Sequence, residues 1–135
     1  MQKENIKVDV VVGVVIKKEG KYLLLQEKQP KAYMLWNFPA GKVDIEESFE
    51  QTAVREAKEE SGYDVELIKE IGIFQAISTD AVKHAFEAEI VGGELKFPED
   101  EILNAKWFSF EEIKQMKDTL RGKWIIEAIS ILENK

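Results

Sequence analysis

The chain has 135 residues, which is enough for one domain with its own core and too few for two. Apolar residues make up 44% and charged residues 33%, a balance typical of globular proteins. Cysteine is absent, which excludes disulfides, thiolate metal sites and thiol nucleophiles and fits a reducing compartment. The net charge of −7 lacks the basic footprint of nucleic-acid binders, so we expect no nucleic-acid polymer as a partner.

Two further segments bear on where the protein resides. Residues 1–9 are polar and contain no apolar stretch of the kind found in a secretory signal. Residues 10–16 form the longest apolar run, which is too short to cross a bilayer. We therefore expect a cytoplasmic protein with no membrane partner.

The first third of the chain predicts a β-hairpin. Residues 8–17 are rich in β-branched side chains, which is typical of a buried strand. A turn at residues 19–20 returns the chain into a second strand at residues 22–26. Residues 29–36 are predicted to form a loop, and the short apolar segment 38–41 ends in breakers.

A helix is predicted next, over residues 49–60. Ser48 and Gln51, three residues apart, form a capping box that starts the helix. Gly62 suits the C-terminal stop because glycine adopts the left-handed conformation that ends many helices.

The second half of the chain mixes strands and helices. The predicted strands cover residues 65–77, 84–91, 94–97 and 105–108, and Gly92 and Gly93 mark the turn between the second and third of these. A second capping box, Ser109 with Glu112, opens a short helix to about Met116, and a last helix is predicted over residues 120–133. Because strands and helices do not alternate regularly, a single α+β or α/β/α layered domain over residues 1–135 is favoured.

The first predicted helix stands out for its acidic residues. Six glutamates lie between residues 46 and 60: Glu46, Glu47, Glu50, Glu56, Glu59 and Glu60. At 100° per residue, Glu56 and Glu60 fall within roughly 60° of Phe49 and Ala53, on the apolar stripe, with Glu59 on its flank. Val54 does not follow this division.

Such closely spaced carboxylates repel one another. Side chains three or four residues apart on a helix have Cβ atoms about 5–6 Å apart, and each pair repels by roughly 3 kcal/mol at an effective dielectric near 20. This is large against a total stability of about 5–15 kcal/mol. Protonation, nearby lysine or arginine, or a divalent cation could offset the repulsion, and an all-oxygen cluster suits Mg²⁺ or Mn²⁺ best. A cation would also join an acidic protein to an anionic ligand.

The same residues resemble the Nudix box, Gly-x5-Glu-x7-Arg-Glu-U-x-Glu-Glu-x-Gly-U, over residues 41–63. All seven fixed positions are present at the required spacing: Gly41, Glu47, Arg55, Glu56, Glu59, Glu60 and Gly62. Ala57 and Tyr63 stand where a bulky aliphatic residue is usual. Within the MutT-like Nudix hydrolases, the run Trp-Asn-Phe-Pro-Ala-Gly at residues 36–41 looks most like the small bacterial phosphatase NudJ subgroup.

The resemblance implies a Nudix α/β/α sandwich with a mixed β-sheet, in which the box forms a loop, a helix and a second loop. It implies an enzyme, a Mg²⁺-dependent pyrophosphohydrolase with Mn²⁺ as a substitute metal. The substrate would be a small nucleoside or nucleotide-like di- or triphosphate linked to another group. Water would attack phosphorus and cleave a phosphoanhydride bond. The resemblance also leaves a homodimer open.

Roles for single residues follow from their positions in the box. The resemblance assigns metal binding to Glu56, Glu59, Glu60 and the Ala40 carbonyl group. Glu47 and Arg55 would pair and hold the loop against the helix, and the general base would be Glu59, Glu60 or a distant loop residue. The catalytic candidates are therefore Glu47, Arg55, Glu59 and Glu60. The candidates for substrate contact are Phe38, Gly41, Lys42 and Glu101.

Several residues outside the box could have either a functional or a purely structural role. Glu87, Glu89 and Glu101 could each add a ligand or base, with Glu101 favoured because it lies in a loop near the expected site. Glu87 and Glu89 share one face of a strand, and such residues more often face solvent. His84, the single histidine, is more often structural than catalytic. Arg121 could meet a terminal phosphate or form only a salt bridge. Three aromatic side chains could stack on a base or pack in the core: Tyr33, Trp36 and Phe38.

Other functions predict different features. A Nudix-fold sensor that binds a nucleotide without cutting it would be expected to lose box glutamates, and none is missing. A prenyl-diphosphate isomerase of similar fold would be expected to use a cysteine, which this chain lacks. A charged helix with no site predicts that Glu56→Gln and Glu60→Gln leave metal binding unchanged or raise stability.

Overall fold

The computed structural model describes residues 8–75 and 81–134. Seven strands form a mixed sheet in the order β3-β2-β1-β6-β5, with β4 also paired to β1 and β7 to β2. The strands are β1 Asp9–Lys18, β2 Lys21–Glu27, β3 Trp36–Asn37, β4 Ala40–Lys42, β5 Tyr63–Gln75, β6 Ala81–Gly93 and β7 Ile102–Ser109. The helices are α1 Phe49–Ser61, α2 Phe110–Gln115 and α3 Trp124–Glu133, with 3-10 turns at Pro30–Ala32 and Lys117–Thr119.

Strand β1 is the centre of the sheet. It pairs in parallel with β6 and antiparallel with β2 and β4. Val12, Val14, Val15 and Ile16 are all fully buried, so both faces of the strand are covered. This explains the continuous run of β-branched residues, which suits a strand buried on both faces better than an alternating pattern does.

Helices cover the two faces of the sheet and create two apolar clusters. Helix α1 packs Ala53 and Ala57 into one cluster, and helix α3 packs Ile125 and Ile129 into the other. Gly13 lets α3 lie close to β1, because a Cβ atom there would overlap the ring of Trp124. The chain is therefore an α/β/α sandwich, as predicted.

The predicted helix ends are confirmed at α1. The Gln51 N–H donates to Ser48 Oγ at 3.0 Å, and the Ser48 N–H donates to Gln51 Oε1 at 2.8 Å. Gly62 has a φ of 83°, and its N–H donates to the Lys58 carbonyl oxygen at 3.0 Å. The second capping box, Ser109 with Glu112, forms in the same way at α2.

Two predicted elements are wrong. Residues 94–97 are not a strand, because the Lys96 N–H donates at 2.8 Å to the Ser61 carbonyl oxygen at the end of α1. The last helix begins at Trp124 and not at Leu120, which instead forms an isolated bridge to Trp36.

Two predicted segments cannot be compared in full with the structure. The predicted end of the strand at residue 77 and most of the polar segment 1–9 lie outside the described residues. Among the helices of residues 8–75 and 81–134, none is long and apolar enough to cross a membrane.

Candidate metal and phosphate site

The segment ahead of α1 is fixed to the sheet on one side and to the helix on the other. Ala40 and Lys42 of β4 lie opposite Gly13 and Val11 of β1. The Ala40 N–H donates to Glu60 Oε1 at 2.7 Å. The sheet therefore places the start of the box directly against the last turn of α1. Ala40 contacts the box through its amide group, whereas the resemblance assigned a role to its carbonyl group.

Gly41 makes room for a carboxylate. A Cβ atom at this position would overlap the Glu56 carboxyl group. Glu56 is only 9% exposed, and it lies on the buried side of α1 with Ala53 and Ala57. The helical pattern had predicted this buried position for Glu56. A side chain at residue 41 would force the Glu56 carboxylate to move.

Arg55 joins three glutamates. Its Nε and Nη2 atoms donate to Glu47 Oε2 and Oε1 at 2.7 and 2.8 Å. Its Nη1 atom donates to Glu56 Oε1 at 2.8 Å and to Glu59 Oε2 at 3.1 Å. The guanidinium lowers the pKa of Glu47. Part of the carboxylate repulsion on α1 is therefore offset by a side chain of the same helix.

Ionisation remains unfavourable for the carboxyl groups of Glu56 and Glu60. The pKa of Glu60 is raised to about 8, first by burial and then by the charges of nearby Glu56, Glu27 and Glu101, while the hydrogen bond from the Ala40 N–H lowers it. Burial also raises the pKa of Glu56, although Arg55 opposes this shift. In the absence of a cation, Glu60 is therefore largely protonated at neutral pH.

The donor set suits a hard divalent cation. Glu56, Glu59 and Glu60 offer oxygen ligands, and the crowding that raises two of their pKa values is what a cation would relieve. Within the described residues, however, no group of three or more Asp, Glu or His side chains is already arranged as a ligand set. A cation would have to compete with Arg55 for Glu56 and Glu59. The residues fit a metal chemically but are not preassembled around one.

Glu101 joins this cluster from a distant part of the sequence. It is exposed, directly ahead of β7, and its charge raises the pKa of both Glu56 and Glu60. Its backbone carbonyl accepts a hydrogen bond from the Lys28 N–H at 3.0 Å. Glu101 therefore lies near enough to the box glutamates for its charge to act on them.

Sequence reasoning missed Glu27. This residue ends β2, accepts a side-chain hydrogen bond from Asn37, and places Oε2 at 3.4 Å from Arg121 Nε. Its charge raises the pKa of Glu60, so it acts on the same group of carboxylates. Burial raises the pKa of Glu27 itself. The only signal was an acidic residue ending an apolar strand, which is too common to indicate a site.

The remaining candidates for substrate contact differ in their exposure to solvent. Phe38 is 1% exposed and packs edge-on against Trp124, so it lies in the core and not on a surface that a substrate could reach. Trp36 also packs in the core, whereas Tyr33 is exposed. Lys42 is exposed and forms an ion pair of 3.2 Å with Asp9.

The structure also describes the surroundings of the three candidates in β6. His84 is 5% exposed, stacks on Phe86, and has Nε2 at 2.9 Å from Glu70 Oε2. Glu87 is buried close enough to Tyr22 for its charge to raise the pKa of that hydroxyl group. Glu89 is exposed and lies opposite Glu66. His84 also packs edge-on against Phe49 at the start of α1, with ring centroids 4.8 Å apart.

An open cavity of about 480 Å³ adjoins Glu59 at the C-terminal end of α1. Its walls include Lys58, Gly62, Lys96 and Phe97. The segment wrongly predicted as a strand therefore forms one side of a cavity that borders the box.

Comparison with known proteins identifies the family. A family model described as the NUDIX domain matches residues 7–128. The chain belongs to the Nudix family. The chain is 32% identical to "Putative nudix hydrolase 1" of Caenorhabditis elegans over 89% of its own length but spans only 34% of that protein. It is 30% identical to an ADP-ribose pyrophosphatase of Methanocaldococcus jannaschii, covering 84% of this chain and 74% of that protein.

Solved structures give the same result for the Nudix fold. A NUDIX hydrolase from Nitrosomonas europaea superposes with a TM-score of 0.85 and 28% identity, covering 95% of this chain and 90% of that chain. The predicted family and fold are thereby confirmed. The narrower placement in the NudJ subgroup stays a prediction.

Proposed function

We propose that this Nudix chain is a Mg²⁺-dependent hydrolase that cleaves a phosphoanhydride bond in a small nucleotide-like di- or triphosphate. One observation carries the proposal. The carboxyl groups of Glu56 and Glu60 are enclosed side by side between α1 and residues 40–41, where Gly41 leaves room for one and the Ala40 N–H contacts the other. Ionising both carboxyl groups in this position costs stability, and a bound cation would offset that cost.

In the proposed mechanism, Glu56, Glu59 and Glu60 would hold the cation. When bound, Mg²⁺ would neutralise charge on the transferred phosphoryl group and make a water more acidic. The water oxygen forms the new bond to phosphorus, the anhydride P–O bond breaks, and a carboxylate takes the proton. Glu59, Glu60 and Glu101 are the candidate bases. Arg55 is a positioning residue, because it holds Glu47 and two of the metal-binding glutamates in place.

The identity of the substrate is left to experiment. The M. jannaschii relative is named an ADP-ribose pyrophosphatase, which supports a nucleoside diphosphate linked to a sugar as one class. A panel should contain nucleoside triphosphates, oxidised nucleotides, ADP-ribose and thiamine-precursor diphosphates, assayed with Mg²⁺, with Mn²⁺ and with EDTA. We expect metal-dependent release of a phosphorylated product from at least one class, with loss of activity in Glu60→Gln. Hydrolysis that persists in EDTA would overturn the proposal.

One observation favours a non-catalytic sensor as the second candidate. Arg55 occupies oxygens of Glu56 and Glu59, so the ligand set is not assembled in the described residues. A sensor would bind a nucleotide from the panel at equilibrium and release no product. Binding without turnover, in a folded protein that still binds Mg²⁺, would support the sensor and exclude the hydrolase.

The proposal also covers the cellular location and the oligomeric state of the protein. The absence of cysteine supports a reducing, cytoplasmic location. A homodimer is open to test by sedimentation at several protein concentrations.

A further inference from the structure

The segment that follows β6 lies against the C-terminal end of α1. The Lys96 N–H donates to the Ser61 carbonyl oxygen at 2.8 Å. Gly62 has a φ of 83°, and a Cβ atom at this position would overlap the carbonyl oxygen of Glu94 and the backbone nitrogen of Lys96. The close contact between this segment and α1 therefore depends on glycine at residue 62.

This segment and the end of α1 form the walls of the open cavity of about 480 Å³. Sites for small ligands usually have volumes of roughly 300–1,000 Å³, so the cavity is large enough for one. Glu59 forms part of the wall, and its Oε2 atom lies 3.1 Å from Arg55 Nη1 among the box glutamates. The cavity thus borders the candidate metal site, and a substrate bound at that site can extend into it.

Phe97 lies between two anchored points of the backbone. Lys96 is tied to α1, and the Pro98 carbonyl oxygen accepts hydrogen bonds from the N–H groups of Glu101 and Ile102 at 3.1 and 2.9 Å. Phe97 is half-buried: it packs against the apolar cluster beneath α1 and also lines the cavity. An aromatic ring held in this way is a preorganised surface on which another ring can stack.

Two lysines line the same cavity, and they differ in their contacts. Lys58 Nζ lies 3.2 Å from Asp64 Oδ1 and donates to the Gly62 carbonyl oxygen at 3.3 Å. Lys96 is exposed, and among the ion pairs of residues 8–75 and 81–134 none involves its ammonium group. Of the two, Lys96 is therefore the one that is open to an anionic ligand.

We propose that this cavity binds the nucleoside part of the substrate, with the base stacked on Phe97 and the phosphate next to the nucleoside in contact with Lys96. This proposal rests on the proposed function and narrows its substrate class to nucleotides. Glu59 connects the two parts of the site, because it belongs to the box and to the cavity wall. Since every base has an aromatic face, the contact with Phe97 does not select one base.

The first test separates the base from the phosphate. Calorimetric titration in Mg²⁺ would use AMP, GMP, CMP and UMP, and ribose 5-phosphate as the ligand without a base; none of them has an anhydride bond to cut. Phe97→Leu should bind at least one nucleotide roughly tenfold more weakly and ribose 5-phosphate unchanged, because it removes only the stacking contact. Phe97→Tyr keeps the ring and should bind like the natural protein.

Phe110→Leu is the matched control, because Phe110 is also half-buried but packs against the other apolar cluster. Equal affinity of the natural protein and Phe97→Leu for all four nucleotides would overturn the base contact, and so would an equal loss for ribose 5-phosphate. Nuclear Overhauser effects between base protons and the Phe97 ring of the natural protein would report the same contact without any variant. Their absence from the bound nucleotide would also overturn it.

The second test concerns Lys96. Lys96→Met should bind the nucleotides and ribose 5-phosphate alike roughly tenfold more weakly, as the loss of a charged hydrogen bond to the phosphate implies. Lys18→Met is the control, because Lys18 is an exposed lysine at the end of β1 and does not line the cavity. Equal affinities of Lys96→Met and Lys18→Met would overturn the phosphate contact.

Failures of the two proposals are distinguishable. Nucleotide binding that depends on Phe97, with no hydrolysis of any substrate, would support the cavity as the nucleoside site and count against the hydrolase. Normal hydrolysis of a nucleotide, with the same KM in Phe97→Leu as in Phe110→Leu, would support the hydrolase and overturn the cavity as the nucleoside site.

Discussion

Arg55 holds Glu47 in a two-pronged contact, with Nε at 2.7 Å from Oε2 and Nη2 at 2.8 Å from Oε1. The two residues are eight positions apart, so this contact ties the loop ahead of α1 to the second turn of the helix. A planar guanidinium matches a carboxylate in this way, whereas an ammonium group does not. The pair therefore fixes the shape of the box before any ligand binds.

Replacing Arg55 with lysine should separate charge from geometry. Lysine keeps the positive charge but cannot contact Glu47 in two places and reach Glu56 and Glu59 at once. We expect kcat/KM to fall by roughly tenfold or more, as positioning changes near a reacting group do. Steady-state kinetics on the substrate found in the panel would measure this, with thermal unfolding as a check that the fold survives. An unchanged kcat/KM would show that Arg55 acts through charge alone.

The raised pKa of Glu60 predicts how stability depends on pH without metal. A carboxyl group whose pKa rises on folding, here from 4.5 to about 8, contributes stability that is fully present below pH 4.5. That stability is lost as the pH rises through about 8, because ionisation is harder in the folded state than in the unfolded state. Glu60→Gln should remove this loss and leave the protein more stable at pH 8.5 by roughly 2–4 kcal/mol.

Urea unfolding in EDTA at pH 6 and pH 8.5 would test this dependence on Glu60. Glu50→Gln serves as the control, because Glu50 is an exposed glutamate in the first turn of the same helix. The account would be contradicted if Glu60→Gln and Glu50→Gln showed the same change in stability between the two pH values.

Gly41→Ala should disturb the site through a single methyl group. The added Cβ atom would overlap the Glu56 carboxyl group, so this carboxylate must move away from its position against β4. We expect Mn²⁺ affinity to fall at least severalfold and kcat/KM to fall with it. Gly72→Ala in β5 is the matched control, because a Cβ atom there meets only ordinary contacts at 3.6 Å. Equal Mn²⁺ affinity in both variants would rule out this role for Gly41.

Phe38→Leu tests whether Phe38 is a core residue or a substrate contact. Because Phe38 is buried against Trp124, the smaller side chain should lower the free energy of unfolding by about 1–3 kcal/mol and leave KM unchanged. Tyr33→Leu, at an exposed position, should leave stability nearly unchanged. A raised KM with unchanged stability for Phe38→Leu would restore Phe38 as a substrate contact.

Local signals in the sequence predicted the parts of the fold that depend on neighbouring residues. The capping boxes at Ser48 and Ser109 and the stop at Gly62 involve contacts within a few residues, so their spacing alone identified the ends of α1 and α2. The buried position of Glu56 followed from the period of the helix.

Features that depend on distant residues were missed. Residues 94–97 have a composition suitable for a strand. The Lys96 N–H, however, donates its hydrogen bond to the Ser61 carbonyl oxygen at the end of α1 and not to a neighbouring strand. The contact of Glu27 with Arg121 joins β2 to the segment ahead of α3, and no local pattern reports it. The helical period of α1 predicted which face of the helix carries the box glutamates. The positions of the charged side chains around them depend on tertiary packing.

The cation between the box glutamates is the central claim, and direct titration with Mn²⁺ tests it most closely. Electron paramagnetic resonance of free Mn²⁺ would give the affinity of the natural protein, of Glu56→Gln, of Glu60→Gln and of the control Glu50→Gln, with Mg²⁺ as competitor. We predict tight binding that Mg²⁺ displaces, a loss of roughly tenfold or more in each of the first two variants, and no change in the control. Equal Mn²⁺ affinity in all four proteins would contradict the account.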